Sequence, residues 1–235
     1  AVVEELLTVV NPGNTAAWVE QCRTWRQRHE LTYRKQGPLR VQHVLSCLND
    51  LLAGEGIVVT DVGQHQMWAA QYIKTCKRNH FVTSGGAGTM GFGFPAAIGV
   101  QFAHPNEQVV AVVGDGGFQM TMTELATAQN NKLPLTVIIM ENHYLGMVRQ
   151  WQEMFFDNRI SGVELEGNPD FGKLAKAYGV HHLRVKRKAD VERVLQEALA
   201  YDEGPTLVWA QVQEDGNVFP MIPPGKTYGQ LVLEG

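Results

Sequence analysis

The sequence is poor in the features that mark membrane, secreted and nucleic-acid-binding proteins. No apolar run approaches the ~20 residues that span a bilayer, and the first residues have no basic start, so neither a membrane span nor a signal peptide is predicted. The three cysteines, Cys22, Cys47 and Cys76, lie far apart, which argues against a zinc site or a disulfide framework and favours a reducing compartment. The formal net charge is only -4, so neither a nucleic acid nor an anionic membrane is expected as a partner.

The first 37 residues differ in composition from the rest of the chain. Residues 15–33 have helical character, with Asn14 or Thr15 able to cap the helix, and are rich in Arg, Glu and Gln. Gly37-Pro38 then interrupts the pattern. We therefore predict a linker helix within residues 1–37 and a separate domain over residues 38–235. Because the chain begins with Ala rather than Met, we also expect it to be a fragment of a longer protein.

Beyond residue 38, helical and strand patterns alternate. Continuous apolar runs at Val109–Val113 and Leu135–Met140 are typical of strands buried on both faces. Shorter strands are predicted at Ile57–Thr60, Phe81–Thr83 and Thr206–Val212, and helices at Val41–Leu52, Gln66–Ile73, Phe94–Ala103, Glu124–Asn130, Gly146–Phe156, Phe171–Tyr178 and Asp190–Tyr201. This alternation predicts an α/β fold, with a mostly parallel sheet of about six strands and helices on both faces.

The segment Gly114-Asp115-Gly116-Gly117 follows the first apolar run and opens a helix. Amide groups at a helix start lack partners and favour a phosphate, and glycines let the backbone approach it closely. The charge of Asp115 would repel a phosphate unless a metal ion lay between them. Mg²⁺ takes oxygen ligands from carboxylates and phosphates together, so the segment predicts a magnesium-bound diphosphate. Taken alone, however, the segment fits a tight turn and a helix cap better.

A second half of the site is predicted after the next strand, in the segment 141–146 (ENHYLG). One helix and one strand separate Asp115 from Asn142, so a right-handed crossover places both at one edge of the sheet, where α/β proteins bind ligands. Asn142 offers a side-chain oxygen, and a backbone carbonyl just beyond it can supply a third protein ligand. This topological match favours the metal site over the simple turn.

These two segments resemble the thiamine-diphosphate motif, which begins Gly-Asp-Gly and ends in two Asn residues. The resemblance implies that Mg²⁺ is held by Asp115, Asn142 and the backbone carbonyl of Tyr144. Glu141 stands where the first Asn of the motif usually lies.

Four further stretches are similar to the catalytic subunits of acetolactate synthase (acetohydroxyacid synthase). They are residues 63–71 (GQHQMWAAQ), 84–97 (SGGAGTMGFGFPAA), 145–151 (LGMVRQW) and 220–225 (PMIPPG). The resemblance runs from about Pro38 to the C-terminus. Complete chains of that family have a pyrimidine-binding, a middle FAD-binding and a diphosphate-binding domain. The resemblance implies that residues 38–235 are the last of these and that residues 1–37 lead from a middle domain.

The cofactor contacts can be expected residue by residue. Gln64 and His65 follow the predicted strand 57–60, reach the same sheet edge and can donate hydrogen bonds to phosphate oxygens. The resemblance implies that the Gly88 carbonyl and the Met90 amide bind the aminopyrimidine ring, with the Met90 side chain beneath the cofactor. Further contacts are expected from Gly116, Gly117, Asn142, Leu145, Gly146 and Met147. As isolated residues, His65 fits a structural histidine and Met90 fits a residue that fills a gap in the core.

Trp151 lies one helical turn from Met147, so the two side chains share a face of the predicted helix. The resemblance implies that this face lines the substrate channel, and that Trp151 favours 2-ketobutyrate over pyruvate as second substrate and contacts herbicides. As an isolated residue, Trp151 fits a core aromatic equally well.

The implied activity is that of a thiamine-diphosphate-dependent transferase in branched-chain amino-acid biosynthesis, which decarboxylates pyruvate and joins the product to a second 2-ketoacid. In the family, the activating glutamate comes from the pyrimidine-binding domain of a neighbouring subunit, so this chain has no assigned catalytic residue and is expected to be inactive alone. The full-length enzyme is expected to be a homodimer or tetramer, with FAD bound mainly outside this segment and a small regulatory subunit as a further partner. It would be cytoplasmic in a bacterium and located in a plastid or mitochondrion in a eukaryote.

Two alternatives remain open. Another thiamine-dependent 2-ketoacid enzyme, such as a glyoxylate carboligase or a pyruvate oxidase, would share the metal motif, although Trp151 and the segment 220–225 argue against it. A non-catalytic magnesium–nucleotide binding module would need a phosphate-loop lysine, and the glycine-rich segments lack the Gly-Lys-Ser/Thr ending.

Overall fold

The computed structural model of the chain contains two compact units, Ala1–Arg34 and Lys35–Gly235. It describes residues 2–11 and 13–233. Ala1, Pro12, Glu234 and Gly235, which belong to the predicted segments 1–37 and 38–235, lie outside the described residues. The predicted division lies between residues 37 and 38. That residues 1–37 lead from another domain stays a prediction.

The first unit contains two helices, α1 (Val2–Val9) and α2 (Ala16–Arg28). The sequence pattern did not predict α1, and α2 ends at Arg28 rather than near Tyr33. Neither helix buries a residue. Short helices depend on a packed face for most of their stability, and α2 buries no residue, which accounts for its end before Tyr33.

The second unit is built on a six-stranded sheet in the order β2-β1-β3-β4-β6-β5. The strands are β1 (Ile57–Thr60), β2 (Phe81–Thr83), β3 (Val109–Gly114), β4 (Leu135–Glu141), β5 (His181–Val185) and β6 (Thr206–Gln211). Every pair of neighbouring strands is parallel. The predicted α/β class is therefore confirmed, and the sheet is parallel throughout rather than mostly.

The edge strand β5 was missing from the predicted strands. Its sequence carries His181, His182 and Arg184, and most of its side chains are only partly buried. An edge strand does not need the continuous apolar run that identified β3 and β4. Its place beside β6 is decided by tertiary pairing rather than by local pattern.

Helices cover both faces of the sheet, as predicted. Those of the second unit are α3 (Val41–Leu52), α4 (Gln64–Tyr72), α5 (Gly93–Ala103), α6 (Asp115–Thr121), α7 (Leu125–Asn130), α8 (Gly146–Phe155), α9 (Phe171–Tyr178) and α10 (Lys188–Ala200), with short 3-10 turns at Met122–Glu124 and Tyr228–Gln230. Side chains alternate along β3, so Val110 and Val112 pack with α3, α4 and α10. Ala111 and Val113 pack on the other face with α5, α7 and α9.

The topology places the predicted motif at one edge of the sheet. β3 and β4 are direct neighbours, and Gly114 lies opposite Met140 in their register. Asp115 and Asn142 therefore leave the sheet side by side. β1 flanks β3 on its other side, which brings the residues after Thr60 to the same edge. In the part of the chain that the structure describes, no helix combines the length and apolarity needed to cross a membrane.

Candidate functional site

A cavity of about 270 Å³ lies where β1, β3 and β4 end. It brings together every residue that the sequence predicted for the cofactor and the metal: Gln64, His65, Gly88, Met90, Asp115, Gly116, Gly117, Asn142, Tyr144, Leu145, Gly146 and Met147. These residues come from segments far apart in the chain, so the sheet topology assembles them. Which ligand atom each residue contacts stays a prediction.

Asp115 begins α6 and is only 1% exposed. Its Oδ2 accepts two hydrogen bonds, from the His143 amide at 2.9 Å and from Asn168 Nδ2 at 2.8 Å. Its Oδ1 accepts one, from the Gly116 amide at 3.1 Å. Burial raises the pKa of Asp115 to about 6, although these hydrogen bonds act to lower it. The charge of this carboxylate is costly to bury, and its Oδ1 can still accept a further partner. A bound cation would meet both conditions.

Asn142 follows β4 directly, and its Oδ1 accepts a hydrogen bond from the Tyr144 amide at 3.2 Å. His143, between them, has a positive φ of 59°, so the chain turns sharply here. Residues 143–145 then pair with residues 163–165 in a short antiparallel bridge, whose hydrogen bonds do not use the Tyr144 carbonyl. Asn142 and Tyr144 line the same cavity as Asp115, so the Asn142 side-chain oxygen and the Tyr144 carbonyl are further candidate oxygen ligands.

Glycines keep the cavity open by leaving room for neighbouring polar side chains. A Cβ at Gly114 would lie 2.9 Å from Cε1 of His65. A Cβ at Gly146 would collide with Oε1 of Gln64 and lie 2.8 Å from Nδ2 of Asn142. Side chains at these two positions would therefore displace the residues that line the site.

The orientation of Gln64 differs from the prediction. Its Nε2 donates to Oε1 of Gln150 and to the Gly216 carbonyl, both at 2.8 Å, so both of its hydrogens are used. Gln150 in turn accepts from the Val218 amide, which holds this arrangement. The predicted donation from Gln64 to phosphate oxygens is therefore not available in this orientation. Instead, Gln64 has an acceptor, Oε1, that is buried without a partner among the described residues.

His65, which lines the cavity, and Asp61 are both buried. Burial lowers the pKa of His65 to about 4, although the charge of Asp61 and a hydrogen bond to its backbone act to raise it. The imidazole is therefore neutral at neutral pH, and its Nε2 has no partner in residues 2–11 and 13–233. Oδ1 of Asp61 accepts from the Gly93 amide at 3.0 Å. Its Oδ2 lies against Gly117, where any Cβ would collide with it.

Glu141, the departure from the motif, is directed sideways along the sheet. It lies within β4 and is 2% exposed. Its Oε2 accepts hydrogen bonds from Trp209 Nε1 at 2.7 Å and Gln211 Nε2 at 2.9 Å, both on β6. Arg184 on β5 stacks over the Trp209 ring at 3.9 Å and donates to Oε1 of Gln211. The carboxylate is thus accommodated by donors from neighbouring strands.

Asn168 belongs to the site but was not predicted. Its Nδ2 donates to Asp115 Oδ2 at 2.8 Å and lies 3.4 Å from Oε1 of Glu141. Its Oδ1 accepts from Nε2 of Gln119 at 2.8 Å. The only local signal was that Asn168-Pro-Asp170 precedes a helix, which indicates a helix start. Asp170 does cap α9, accepting from the Lys173 amide, but nothing in the spacing pointed to Asp115.

Trp151 lies outside the main cavity, in an adjoining groove of about 480 Å³. Met147 lines both spaces, so the shared helix face runs from the cavity into the groove. Trp151 is 38% exposed and packs edge to face on Phe155, with ring centroids 5.7 Å apart. It is therefore not a buried core aromatic.

Comparison with known protein families decides the family. The model described as "Thiamine pyrophosphate enzyme, C-terminal TPP binding domain" matches residues 61–210, a range that includes Asp115, Asn142 and most of the cavity lining. The chain belongs to this family. Thiamine pyrophosphate (TPP) is another name for thiamine diphosphate.

Relatives of this TPP-binding domain include acetolactate synthase large subunits. The chain is 43% identical over 222 residues to the isozyme 2 large subunit of Escherichia coli strain K12, covering 94% of this chain and 40% of that protein. It is 44% identical over 223 residues to the large subunit of Porphyra purpurea, covering 94% and 37%. For the Haemophilus influenzae large subunit the identity is 38% over 239 residues, covering 99% and 42%.

These matches confirm the predicted resemblance and extend it. With up to 99% of the chain aligned, similarity reaches into the residues before Pro38, where the motifs had not indicated it. The chain spans about two-fifths of the length of these relatives.

The donors at the TPP-family motif suit a hard cation. Among the residues that the structure describes, no group of three His, Cys, Asp or Glu side chains could hold a metal. The available donors are instead a carboxylate oxygen of Asp115, an amide oxygen of Asn142 and the carbonyl of Tyr144. An all-oxygen set with few charges fits Mg²⁺ shared with a diphosphate. Among the described residues, Gln64 Oε1 and His65 Nε2 are buried in the lining without a hydrogen-bond partner, which leaves two polar atoms for a ligand to satisfy.

Proposed function

We propose that this chain is the diphosphate-binding domain of an acetolactate synthase and binds Mg²⁺ and thiamine diphosphate in the cavity at the sheet edge. The observation that carries the proposal is the convergence of Asp115, Asn142 and Tyr144 on one glycine-lined cavity. The similarity to acetolactate synthase large subunits supports it.

The residues of the site would have separate tasks. Asp115, Asn142 and the Tyr144 carbonyl would hold the metal, which would offset the negative charge of the diphosphate against that of Asp115. Gly88 and Met90 would contact the aminopyrimidine side of the cofactor, as the family resemblance implies. Gly116, Gly117, Leu145, Gly146 and Met147 would line the remaining surface. When bound, the thiamine group supplies a site that stabilises the carbanion left by decarboxylation of a 2-ketoacid.

The groove beside the cavity would lead substrates to the cofactor. Met147 borders both spaces, and the partly exposed ring of Trp151 lines the groove. We propose that Trp151 determines the preference between pyruvate and 2-ketobutyrate as the second substrate.

The remaining parts of the activity would come from outside this chain. We propose that a glutamate from the pyrimidine-binding domain of a neighbouring subunit activates the cofactor, and that FAD binds mainly to a middle domain. The working assembly would be a homodimer or tetramer, with a small regulatory subunit as a further partner. On this proposal the 235-residue chain alone forms no acetolactate from pyruvate in a colorimetric assay, and clear turnover would contradict it.

The metal assignment is tested by calorimetry with thiamine diphosphate, with and without Mg²⁺. Asp115→Ala should abolish the magnesium-dependent part of the binding while leaving the fold intact, and Asp202→Ala, at an exposed position, should leave it unchanged. Titration with ATP separates the two classes of function. Unchanged affinity in Asp115→Ala, or a preference for ATP, would reject the proposal.

A further inference from the structure

The orientation of the Asn168 side chain is determined by its neighbours. Its Oδ1 accepts from Nε2 of Gln119 at 2.8 Å, so its Nδ2 is turned to the opposite side. There it donates to Asp115 Oδ2 at 2.8 Å and lies 3.4 Å from Glu141 Oε1. The reverse orientation would place an amide oxygen against two carboxylates and two amide groups against each other. The hydrogen-bond pattern therefore selects a single orientation.

This orientation makes the two oxygens of Asp115 unequal. Oδ2 accepts from Asn168 and from the His143 amide, whereas among the described residues Oδ1 accepts only from the Gly116 amide. Rotating the carboxylate would break both bonds to Oδ2. Oδ1 is thus the oxygen with capacity left for a further partner, and Asn168 holds it there.

Glu141 completes the arrangement from the other side. Its Oε2 is occupied by Trp209 and Gln211, which leaves Oε1 beside the Asn168 amide. Asp115 and Glu141 are both buried, and among the described residues neither forms an ion pair with a Lys or Arg. The His143 imidazole lies beside Glu141, with Nε2 3.8 Å from Oε2, and is charged only when protonated. Asn168 is therefore a neutral donor between two carboxylates, at the position where a third negative charge would be most unfavourable.

We propose that Asn168 is a positioning residue of the metal site. Asn168 holds the Asp115 carboxylate in the orientation in which Oδ1 serves as the magnesium ligand, and Glu141 contacts the Asn168 amide from the other side. This inference rests on the proposed magnesium–thiamine diphosphate site. Neither the Gly-Asp-Gly segment nor the Asn142 segment includes Asn168. Partners that orient a metal ligand typically change metal affinity by about 10–100-fold when they are removed.

The test measures thiamine diphosphate binding by calorimetry across a series of MgCl₂ concentrations. In Asn168→Ala the magnesium concentration for half-maximal binding should rise about tenfold or more. The thiamine diphosphate affinity at saturating magnesium should stay within about twofold of the wild-type value, since saturating metal re-establishes the site. Asn168→Asp, which keeps the shape but adds a charge, should raise the magnesium requirement further. A general loss of structure would instead lower binding at every magnesium concentration.

Two further variants keep the test decisive. Asn131→Ala removes an exposed amide donor near the opposite edge of the sheet and should behave as wild type. If Asn168→Ala does not fold, Gln119→Ala, which frees the Asn168 amide to turn, should still raise the magnesium requirement several-fold. An unchanged magnesium requirement in folded Asn168 or Gln119 variants would overturn the inference and leave the proposed function standing. Absence of magnesium-dependent binding in the wild-type chain would overturn both.

Discussion

Nδ2 of Asn168 lies 2.8 Å from Oδ2 of Asp115, although 53 positions separate the two residues along the chain. The contact joins the loop before α9 to the first residue of α6. Beside it, Glu141 links the end of β4 to Trp209 and Gln211 on β6. The predicted metal ligand is thus held by a network that extends across neighbouring strands, and this network leads to specific expectations.

Glu141→Ala should destabilise the chain by about 1–3 kcal/mol, because it leaves the buried indole N–H of Trp209 without its acceptor. The free energy of unfolding from urea denaturation measures the effect. Glu192→Ala, at an exposed position on α10, should change it by no more than about 0.5 kcal/mol. Equal free energies of unfolding for the two variants would mean that the hydrogen bonds of Glu141 contribute nothing to the stability of the chain.

The stability of the chain should depend on His65 at mildly acidic pH. Burial lowers the pKa of His65 from 6.5 to about 4, so between these values the unfolded chain binds the proton more readily than the folded chain. The contribution of neutral His65 is fully present above pH 6.5 and is lost as the pH falls towards 4. From pH 7 to 4.5 this amounts to a loss on the order of 2 kcal/mol.

Urea denaturation at several pH values, compared between wild type and His65→Gln, tests this expectation. The variant should lose less stability on acidification than the wild type. His104→Gln, at an exposed position, should follow the wild-type curve. Parallel curves for wild type and His65→Gln would show that burial of His65 does not set the pH dependence.

Gly146→Ala should weaken both the fold and the site. The added Cβ would collide with Gln64 Oε1 and crowd Asn142 Nδ2, so a loss of about 1–3 kcal/mol in the free energy of unfolding is expected. Binding of thiamine diphosphate should fall as well, since Asn142 is displaced. Gly99→Ala is the matched control, because its Cβ would meet nothing within 4 Å on an exposed face of α5. That substitution should stabilise the chain by about 0.5–1 kcal/mol.

Trp151→Leu should alter substrate choice in the complete enzyme that we propose. The ring is partly exposed in the groove next to Met147, where it can distinguish 2-ketoacids that differ by one methylene. Such discrimination is worth about 1–3 kcal/mol in an apolar pocket, so the products should shift towards acetolactate without eliminating turnover. The ratio of products from pyruvate and 2-ketobutyrate in competition measures it.

Trp151→Phe retains an aromatic ring and should give an intermediate product ratio. Inhibitors that stack on the ring should bind more weakly to Trp151→Leu than to Trp151→Phe. If both variants give the wild-type ratio, Trp151 acts only in packing against Phe155.

The sequence alone determined the fold class and the location of the cavity. The apolar runs of β3 and β4 can only be satisfied in a sheet buried on both faces, and right-handed crossovers then place Asp115 and Asn142 at one edge. Local rules of this kind depend on residue type and spacing, so they can be read along the chain. They also located Gln64 and His65 at the same edge, through the short strand before them.

Only the tertiary structure decided how the polar groups at that edge are oriented and which distant residues support them. Gln64 turns its nitrogen away from the predicted phosphate position because Oε1 of Gln150 and the Gly216 carbonyl accept both of its hydrogens. Residue spacing carries no information on these distant acceptors. Asn168 reaches Asp115 because a loop of irregular backbone returns to the sheet edge. Hydrogen-bond partners across such distances depend on the packing of the whole domain. For that reason the position of Asp115 and Asn142 at one sheet edge was predictable, whereas the contact from Asn168 to Asp115 was not.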